Sequence, residues 1–307
     1  MSHMDEPGVA LGPLSLSHVD VFADRPMSGN GLTVVTSGDP LAAETMLRIA
    51  QELRQFETIF LFGVEEDQAE ARIFTPEEEL DFAGHPVLGA AAVLHAQSQP
   101  DVHRCVWTIQ IHGRPLRVTT ATRDDGTIGA EMDQGPAVLS PPLPHGAARN
   151  FADALGVRPE QMREDLPSQV VSTGLPYLLF PVTTEGLAAS RIAVTDLPSR
   201  LSHIGADFVY VLDPDRPEGR TWDNRGVTED VATGSAAGPA AAYLVGHGVR
   251  SADEPFEVHQ GRFVGRPSRI RVRHDADGSV HVGGPVTPFS SGTIEPSVVE
   301  RDAPRGP

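Results

Sequence analysis

The chain has 307 residues, more than the roughly 100 to 200 that one domain usually contains, so its length predicts two domains. Its 24 basic and 42 acidic residues give a net charge of −18, which repels phosphate backbones and argues against a nucleic-acid partner. Every basic residue is an arginine, which excludes the lysine Schiff base of pyridoxal-phosphate enzymes and disfavours a Walker phosphate loop.

The first half of the chain is predicted to consist mainly of strands. Short β-branched runs at 18–22 and 31–35 flank Ser28-Gly29-Asn30-Gly31, a pattern that predicts a hairpin with a tight turn. Apolar residues at helical spacing predict a helix over 41–53. Further strands are predicted at 58–62, 71–74, 106–111, 116–120 and 128–132. Gly135-Pro136 and the prolines between 141 and 144 interrupt regular structure and indicate a domain junction.

The second half repeats this mixture of helices and strands. A helical pattern covers 147–155. Strands are predicted at 170–172, 177–182, 208–212, 256–259, 269–272 and 280–282. We therefore predict an N-terminal domain over residues 14–136 and a C-terminal domain over 137–295, whose last strand can return to the first domain. Residues 296–307 form a tail, and its part from Asp302 onward, rich in proline, arginine and glycine, is predicted to be disordered.

Two segments of the chain resemble each other at a separation of 150 residues. Residues 84–94 align without gaps with residues 234–244, with matches at both glycines, both Ala-Ala-Ala runs and both final leucines. Neither segment has a polar face, so each is expected to form a helix buried in the middle of a curved sheet. Their N-terminal backbone N–H groups would then face each other and form a carboxylate-binding cleft between the domains. We expect the active site there.

Several common kinds of active site have no motif in this chain. The sequence contains no GxGxxG fingerprint, no HExxH or HxxxH pair and no GxSxG elbow, so neither a dinucleotide cofactor nor a metal is expected, and a serine hydrolase is a weak alternative. No apolar run approaches the about 20 residues that span a bilayer. Residues 1–4 resemble a vector remnant, and no signal-peptide pattern follows them, so a cytoplasmic protein without a membrane partner is expected. Cys105 cannot form an internal disulfide and is expected to be structural.

An ordered set of short motifs resembles the phenazine-biosynthesis PhzF-like family, whose fold is shared with diaminopimelate epimerase. The motifs run in family order from about residue 16 to residue 295. They are Val19-Asp20-Val21-Phe22 with Ser28-Gly29-Asn30, Glu57-Thr58, Arg72-Ile73-Phe74-Thr75-Pro76, Phe82-Ala83-Gly84-His85-Pro86 with Gly89, Ser172-Thr173-Gly174-Leu175-Pro176, Glu229-Asp230 with 232–238, and Gln260-Gly261 with Arg266-Pro267-Ser268. The resemblance implies an α+β protein of two similar domains, each a curved sheet or open barrel around a central helix. It also implies a cofactor-free isomerase, a small acidic substrate and a homodimer.

The resemblance assigns roles to individual residues in the cleft. Glu57 would be the acid/base, taking a proton from one carbon and returning it to another, with partial burial raising its pKa. Asp230 would bind a substrate amine or hydroxyl, and His85 would donate to a carboxylate or shuttle a proton. The substrate-binding residues would be Asn30, Gly84, Gly234 and Ser235. The alternatives from the residues alone are a loop carboxylate for Glu57, a turn cap for Asp230 and a turn histidine for His85.

Two positions near the presumed cleft depart from the family's pattern. Phe56 stands where a small hydroxyl residue precedes the glutamate, and Gly31 stands where a proline follows Ser-Gly-Asn. These departures leave the substrate open between the phenazine precursor dihydro-hydroxyanthranilate and another unsaturated amino acid or cyclic precursor. A two-cysteine racemase is excluded, since the chain has one cysteine. A silent carboxylate-binding protein and a lyase or cyclase using the same glutamate are the alternative functions.

Overall fold

The computed structural model describes residues 14–295 and contains one continuous path of paired strands with two central helices. The elements of the first half follow in chain order. They are β1 (Leu14–Val21), β2 (Asn30–Thr36), α1 (Ala43–Leu53), β3 (Glu57–Glu65), β4 (Gln68–Phe74), β5 (Glu79–Leu80), α2 (Gly84–Ser98), β6 (Arg104–Ile111), β7 (Arg114–Thr122) and β8 (Ile128–Pro136).

The second half has shorter strands and more helices. Its elements are β9 (Val138–Leu139), α3 (His145–Ala154), β10 (Gln169–Ser172), β11 (Pro176–Pro181), α4 (Thr184–Ala189), α5 (Leu197–His203), β12 (Phe208–Asp213), β13 (Glu218–Arg220), α6 (Gly234–Gly246), β14 (Phe256–Gln260), β15 (Ser268–His274) and β16 (Ser279–Ile294). Two short 3-10 turns lie at Pro159–Gln161 and Arg262–Val264.

The strands of the first half close into a barrel. Strands β1, β2, β3, β4, β6, β7, β8 and β16 pair in that order, and β16 pairs with β1 to complete the circle. From β16 the path continues through β15, β14, β13, β12, β11 and β10 to β9, where the second sheet remains open. Most pairs are antiparallel, with parallel pairs where a helix or a long connection intervenes, for example between β2 and β3.

Helices α2 and α6 occupy the centres of the two sheets. Residues 85–95 of α2 are all buried, and α2 contacts strands on every side of the barrel. Ten residues of α6 are buried against the second sheet. An amphipathic helix would present charges to this interior, whereas the Ala-Val-Leu composition of α2 and α6 fits it. The expectation of a curved sheet around a central helix in each half is confirmed.

Strand β16 links the two halves. Its first residues pair with β15 and β8, and its later residues pair with β8 and then β1. A partly buried ion pair adds to this link, because Arg266 Nη2 lies 2.6 Å from Asp20 Oδ1 and Arg266 Nε donates to the Gly29 carbonyl at 2.9 Å. The Ser28-Gly29-Asn30 loop is therefore held by an arginine from the other half of the chain. The predicted domain boundary at residue 136 stays a prediction.

Two local expectations from the sequence are wrong, and one predicted strand is longer than expected. The β1–β2 connection is an eight-residue loop over 22–29, not a tight turn. Its Gly29 has φ +60°, and a Cβ there would lie 2.3 Å from the Val21 carbonyl oxygen, so the loop requires glycine. Gly135-Pro136 does not interrupt the strand, since β8 extends through Pro136 and pairs with β16 at Ser279. The strand predicted at 280–282 is confirmed, but it extends over sixteen residues, Ser279–Ile294.

Some expectations concern the ends and the surroundings of the chain. The vector remnant at residues 1–4 and the tail over 296–307 lie outside the described residues. Within residues 14–295, the structure contains no helix of the length and apolarity needed to cross a bilayer. Cys105 is buried at the start of β6, and its Sγ lies 3.4 Å from Gln99 Oε1, as expected for a structural cysteine.

Gly219 in β13 provides a test of core packing. A Cβ at this position would lie 2.0 Å from the ring of Tyr210, which is completely buried. We expect Gly219→Ala to lower the free energy of unfolding by about 1 to 3 kcal/mol, because a filled interior must move to accept it. Urea unfolding measures the change. Gly292→Ala in β16 is the matched strand control, since nothing lies within 4 Å of its added methyl group. Equal stability of the two variants would contradict this packing.

Candidate active site

A cleft of about 350 Å³ lies where the N-termini of α2 and α6 meet. Six of the seven residues that the sequence predicted for the site line it. They are Glu57, Gly84, His85, Asp230, Gly234 and Ser235. The seventh, Asn30, lies buried behind Asp230 and does not line the cleft. The structure thus brings together residues that are up to 178 positions apart in the sequence.

The N-termini of both central helices lie at the cleft, and their first backbone N–H groups have no side-chain cap. Helix α2 begins at Gly84 and α6 begins at Gly234, and neither Ala83 nor Thr233 caps its helix with a side-chain hydrogen bond. The first backbone N–H groups of a helix have no partner inside the helix, and the helix dipole favours an anion beside them. A substrate carboxylate at this point would satisfy donors from both halves.

Glu57, which is partly buried, and His85, which is buried, form a pair in the cleft. Glu57 is the first residue of β3, His85 is the second residue of α2, and Glu57 Oε2 lies 3.2 Å from His85 Nε2. Burial, with a smaller contribution from the charge of Asp230, raises the pKa of Glu57 to about 8. Burial lowers the pKa of His85 to about 4. At neutral pH the pair therefore consists of a protonated carboxyl and an uncharged imidazole, and only the carboxyl carries an acidic proton.

Asp230 is fixed by hydrogen bonds from both halves of the chain. Its Oδ1 accepts from Asn30 Nδ2 and from the Ala232 backbone N–H, each at 3.3 Å, and its Oδ2 accepts from the Thr233 hydroxyl. Asn30 Nδ2 also lies 3.2 Å from the Ala232 carbonyl oxygen. Asp230 thus stabilises the turn before α6, as the capping alternative expected, and at the same time presents a carboxylate to the cleft.

Several residues of the site were missed by the sequence prediction. Gln260 is buried and donates from Nε2 to the Asp230 carbonyl at 2.9 Å, while its Oε1 accepts from the Thr233 N–H at 3.2 Å. The Gln260-Gly261 motif was a signal for it, although the motif alone gave no role. Tyr177 lines the cleft, and its hydroxyl lies 2.8 Å from Ser235 Oγ. Tyr177 directly follows the Ser172–Pro176 motif, so proximity to that motif was the available signal.

The lining combines an apolar wall with few charges. No arginine is among the cleft residues that the structure describes, and the charged or titratable groups are Glu57, His85, Tyr177, Asp223 and Asp230. The apolar wall is formed by Phe56, Leu80, Phe82, Leu175, Phe208 and Trp222. Such a cleft suits a small, partly apolar molecule whose carboxylate binds helix ends and whose amine or hydroxyl binds a carboxylate. Within residues 14–295, no three His, Cys, Asp or Glu side chains are grouped to hold a metal ion.

Of the two positions that depart from the family pattern, one reaches the cleft. Phe56 lines it and is 45% exposed. Gly31 does not line it, and a Cβ there would point towards Gln55 Oε1 at 3.2 Å and His18 Nε2 at 3.4 Å. The expectation that both departures lie beside the cleft is therefore wrong for Gly31, and Phe56 is the departure that a substrate can contact.

Comparison with known proteins points to one family. The phenazine biosynthesis-like protein family, PhzC-PhzF, matches residues 19–292. The trans-2,3-dihydro-3-hydroxyanthranilate isomerase of Pseudomonas chlororaphis is 33% identical over 295 residues, covering 90% of this chain and 97% of that protein.

Solved structures agree with this relationship. A structure described as a predicted epimerase from Pseudomonas aeruginosa is 47% identical and superposes with a TM-score of 0.84 over 91% of this chain and 98% of that chain. A probable proline racemase from Agrobacterium radiobacter shares the fold at 16% identity, with a TM-score of 0.57 over 92% of this chain and 93% of that chain. The fold predicted from the motifs, that of the racemases and epimerases, is confirmed.

The raised pKa of Glu57 makes a prediction about stability. Between pH 4.5 and about 8 the folded protein keeps a proton on Glu57 that the unfolded chain has lost, so stability from this group falls as pH rises. The lowered pKa of His85 makes the stability rise with pH, but only between about pH 4 and pH 6.5. From pH 6.5 to 8 we therefore expect the wild-type free energy of unfolding to fall by about 2 kcal/mol relative to Glu57→Gln.

Urea unfolding at about pH 6.5 and about pH 8.5 measures this difference. Glu52→Gln, at an exposed position of α1, is the control and should follow the wild-type pH dependence. Parallel pH dependence of the wild-type protein and Glu57→Gln would contradict the raised pKa.

Proposed function

The chain belongs to the phenazine biosynthesis-like PhzC-PhzF family of isomerases, and we propose that it shifts a proton between two carbons of a small unsaturated amino or carboxylic acid. The observation that carries this proposal is the Glu57–His85 pair at the meeting point of the two helix N-termini. A carboxyl group with a pKa near 8 is matched to proton transfer near neutral pH.

In the proposed reaction, ionised Glu57 removes a proton from one carbon of the substrate. The C–H electron pair enters the conjugated system, the double bonds shift, and the new Glu57 O–H bond delivers the proton to a second carbon. Atoms and charge balance within the substrate and one carboxyl group, so the step requires no cofactor. His85 stays uncharged above about pH 4, and its Nε2, 3.2 Å from Glu57 Oε2, can accept a hydrogen bond from the protonated carboxyl and so orient it.

The remaining residues bind the substrate in this proposal. Its carboxylate lies against the N-termini of α2 and α6, at Gly84, Gly234 and Ser235, and Asp230 accepts a hydrogen bond from its amine or hydroxyl. Asn30 holds Asp230 in place. Trans-2,3-dihydro-3-hydroxyanthranilate is the compound in the name of the relative from P. chlororaphis. It has a carboxylate, an amine and a hydroxyl, and it is the first substrate to test. Another unsaturated cyclic amino acid is the second substrate to test, because the exposed ring of Phe56 lines the cleft where the family pattern has a small residue.

The cellular setting is proposed from the relatives. A role in making a phenazine or another secondary metabolite follows from the name of the family. The homodimer and the cytoplasmic location expected from the sequence stay predictions. Light scattering would test the dimer, since the chain mass is 32.8 kDa.

Incubation with trans-2,3-dihydro-3-hydroxyanthranilate in deuterated water tests the reaction. We expect the wild-type protein to form an isomer with the same heavy-atom skeleton and to incorporate solvent deuterium at carbon. Glu57→Gln should lower turnover at least about 100-fold, because the amide cannot carry the proton. NMR locates the deuterium, and mass spectrometry counts it.

The control for this experiment is Glu52→Gln, which changes an exposed glutamate away from the cleft and should retain full turnover. A product of altered mass beyond deuterium would indicate a lyase, and a product of unchanged mass with a new ring bond would indicate a cyclase. Binding without conversion of either substrate candidate would indicate a carboxylate-binding protein and contradict the proposed isomerisation.

The pH dependence of the rate tests the role of Glu57 separately. Because the free enzyme must ionise Glu57 before it can remove a proton, kcat/KM should rise about tenfold per pH unit and level off near pH 8. Initial rates between about pH 5 and about pH 9 measure this profile. A profile that is already flat from pH 5 would show that the base has an ordinary carboxyl pKa.

A further inference from the structure

We propose that Tyr177 is a positioning residue that orients the hydroxyl of Ser235 as a hydrogen-bond donor to the substrate carboxylate. This inference rests on the proposed function, since it concerns the carboxylate-binding end of the same cleft. Tyr177 Oη lies 2.8 Å from Ser235 Oγ, and both residues line the cleft.

The ring of Tyr177 is held firmly by its surroundings. Tyr177 is the second residue of β11 and is 3% exposed. Its register partner in the parallel strand β12 is Phe208, and the two rings stack with centroids 5.4 Å apart and an angle of 28° between their planes. The hydroxyl therefore has little freedom to leave Ser235, which is the second residue of α6.

The direction of the Tyr177–Ser235 hydrogen bond follows from the available partners. Burial raises the pKa of Tyr177, so the phenol keeps its proton. Among residues 14–295, Ser235 Oγ is the hydrogen-bond partner of this hydroxyl. If Ser235 donated, the phenol proton would have no acceptor in the described protein, and an unsatisfied buried donor costs free energy. Tyr177 therefore donates, and the Ser235 proton is left for another acceptor.

The hydroxyl hydrogen of Ser235, which is not donated to Tyr177, lies at the N-terminus of α6. Ser235 is only partly buried and lies beside the uncapped backbone N–H groups of the helix. The Ser235 hydroxyl and the helix N–H groups therefore both offer donors at the point where the helix dipole favours negative charge. A carboxylate can accept from several of these donors at once, whereas a carboxamide presents one acceptor oxygen and an NH2 group that also needs acceptors. Tyr177 should thus favour carboxylates over carboxamides.

The test compares two probes that cannot undergo the proton shift, 3-hydroxyanthranilate and its carboxamide, by calorimetric titration. We expect Tyr177→Phe to raise the Kd of the carboxylate about tenfold, equivalent to about 1.4 kcal/mol, and to change the Kd of the carboxamide much less. Ser235→Ala should produce the same loss of selectivity or a larger one. The double variant should bind like Ser235→Ala alone, because the phenol acts only through the serine.

Tyr243→Phe is the matched control. Tyr243 is buried, lies on α6 like Ser235, and donates to the Pro167 carbonyl at 2.7 Å outside the cleft. It should leave the carboxylate selectivity unchanged. The inference is overturned if Tyr177→Phe keeps wild-type selectivity, weakens both probes equally, or adds its full effect to Ser235→Ala. It is also overturned if the wild-type protein shows no preference for the carboxylate or binds neither probe. Deuterium incorporation by the wild-type protein is read separately, so failure of the isomerase proposal remains distinguishable.

Discussion

The pairing of strand β16 with three neighbours determines where the cleft lies. Its pairing with β8 and β1 closes the first barrel, and its pairing with β15 begins the second sheet. A shift of one residue would exchange the faces of the strand and expose its buried side chains, so burial fixes the register. With the sheets joined this way, α2 and α6 touch, and their N-termini open into the same space.

The same arrangement explains why polar groups can be buried at this point. Gln260 is buried and Asp230 is partly buried, and several hydrogen bonds to each offset the cost of removing them from water. One cleft residue lacks such a bond. Of the six buried side-chain polar atoms without a hydrogen-bond partner in residues 14–295, His85 Nε2 is the one that belongs to a residue lining the cleft. A folded protein tolerates such unsatisfied groups mainly where a ligand or a reaction uses them.

Sequence patterns predicted the parts of this structure whose physics is local. An Ala-Val-Leu helix without a polar face must be buried, so α2 and α6 and their exposed N-termini could be predicted from composition alone. The full length of β16 could not be predicted, because its glycines and prolines weaken every local strand signal and its stability comes from distant partners.

Residues that act through distant partners were also missed. Asn30 and Glu57 were found only because short motifs carried a family resemblance. Tyr177 was missed although it directly follows such a motif, since its contact with Ser235 spans 58 residues of sequence. Gly31 was assigned to the cleft from its neighbours along the chain, whereas the strand turns it towards Gln55 and His18. Sequence proximity therefore located the loops of the site but not the direction of each side chain.

Asp230 and Glu57 differ in how much structure depends on them, and this decides what their variants can reveal. Asp230 accepts hydrogen bonds that hold the turn before α6 to Asn30, so its removal disturbs both halves of the cleft together with any role in binding. The Glu57 carboxyl has no hydrogen bond in the described protein, only the 3.2 Å approach to His85. Its burial as an ionisable group opposes folding once the carboxyl is charged, and no structural bond is lost with it. Glu57 thus contributes little to the stability of the fold, and its surroundings raise its pKa. Both properties fit a residue whose role is to transfer a proton.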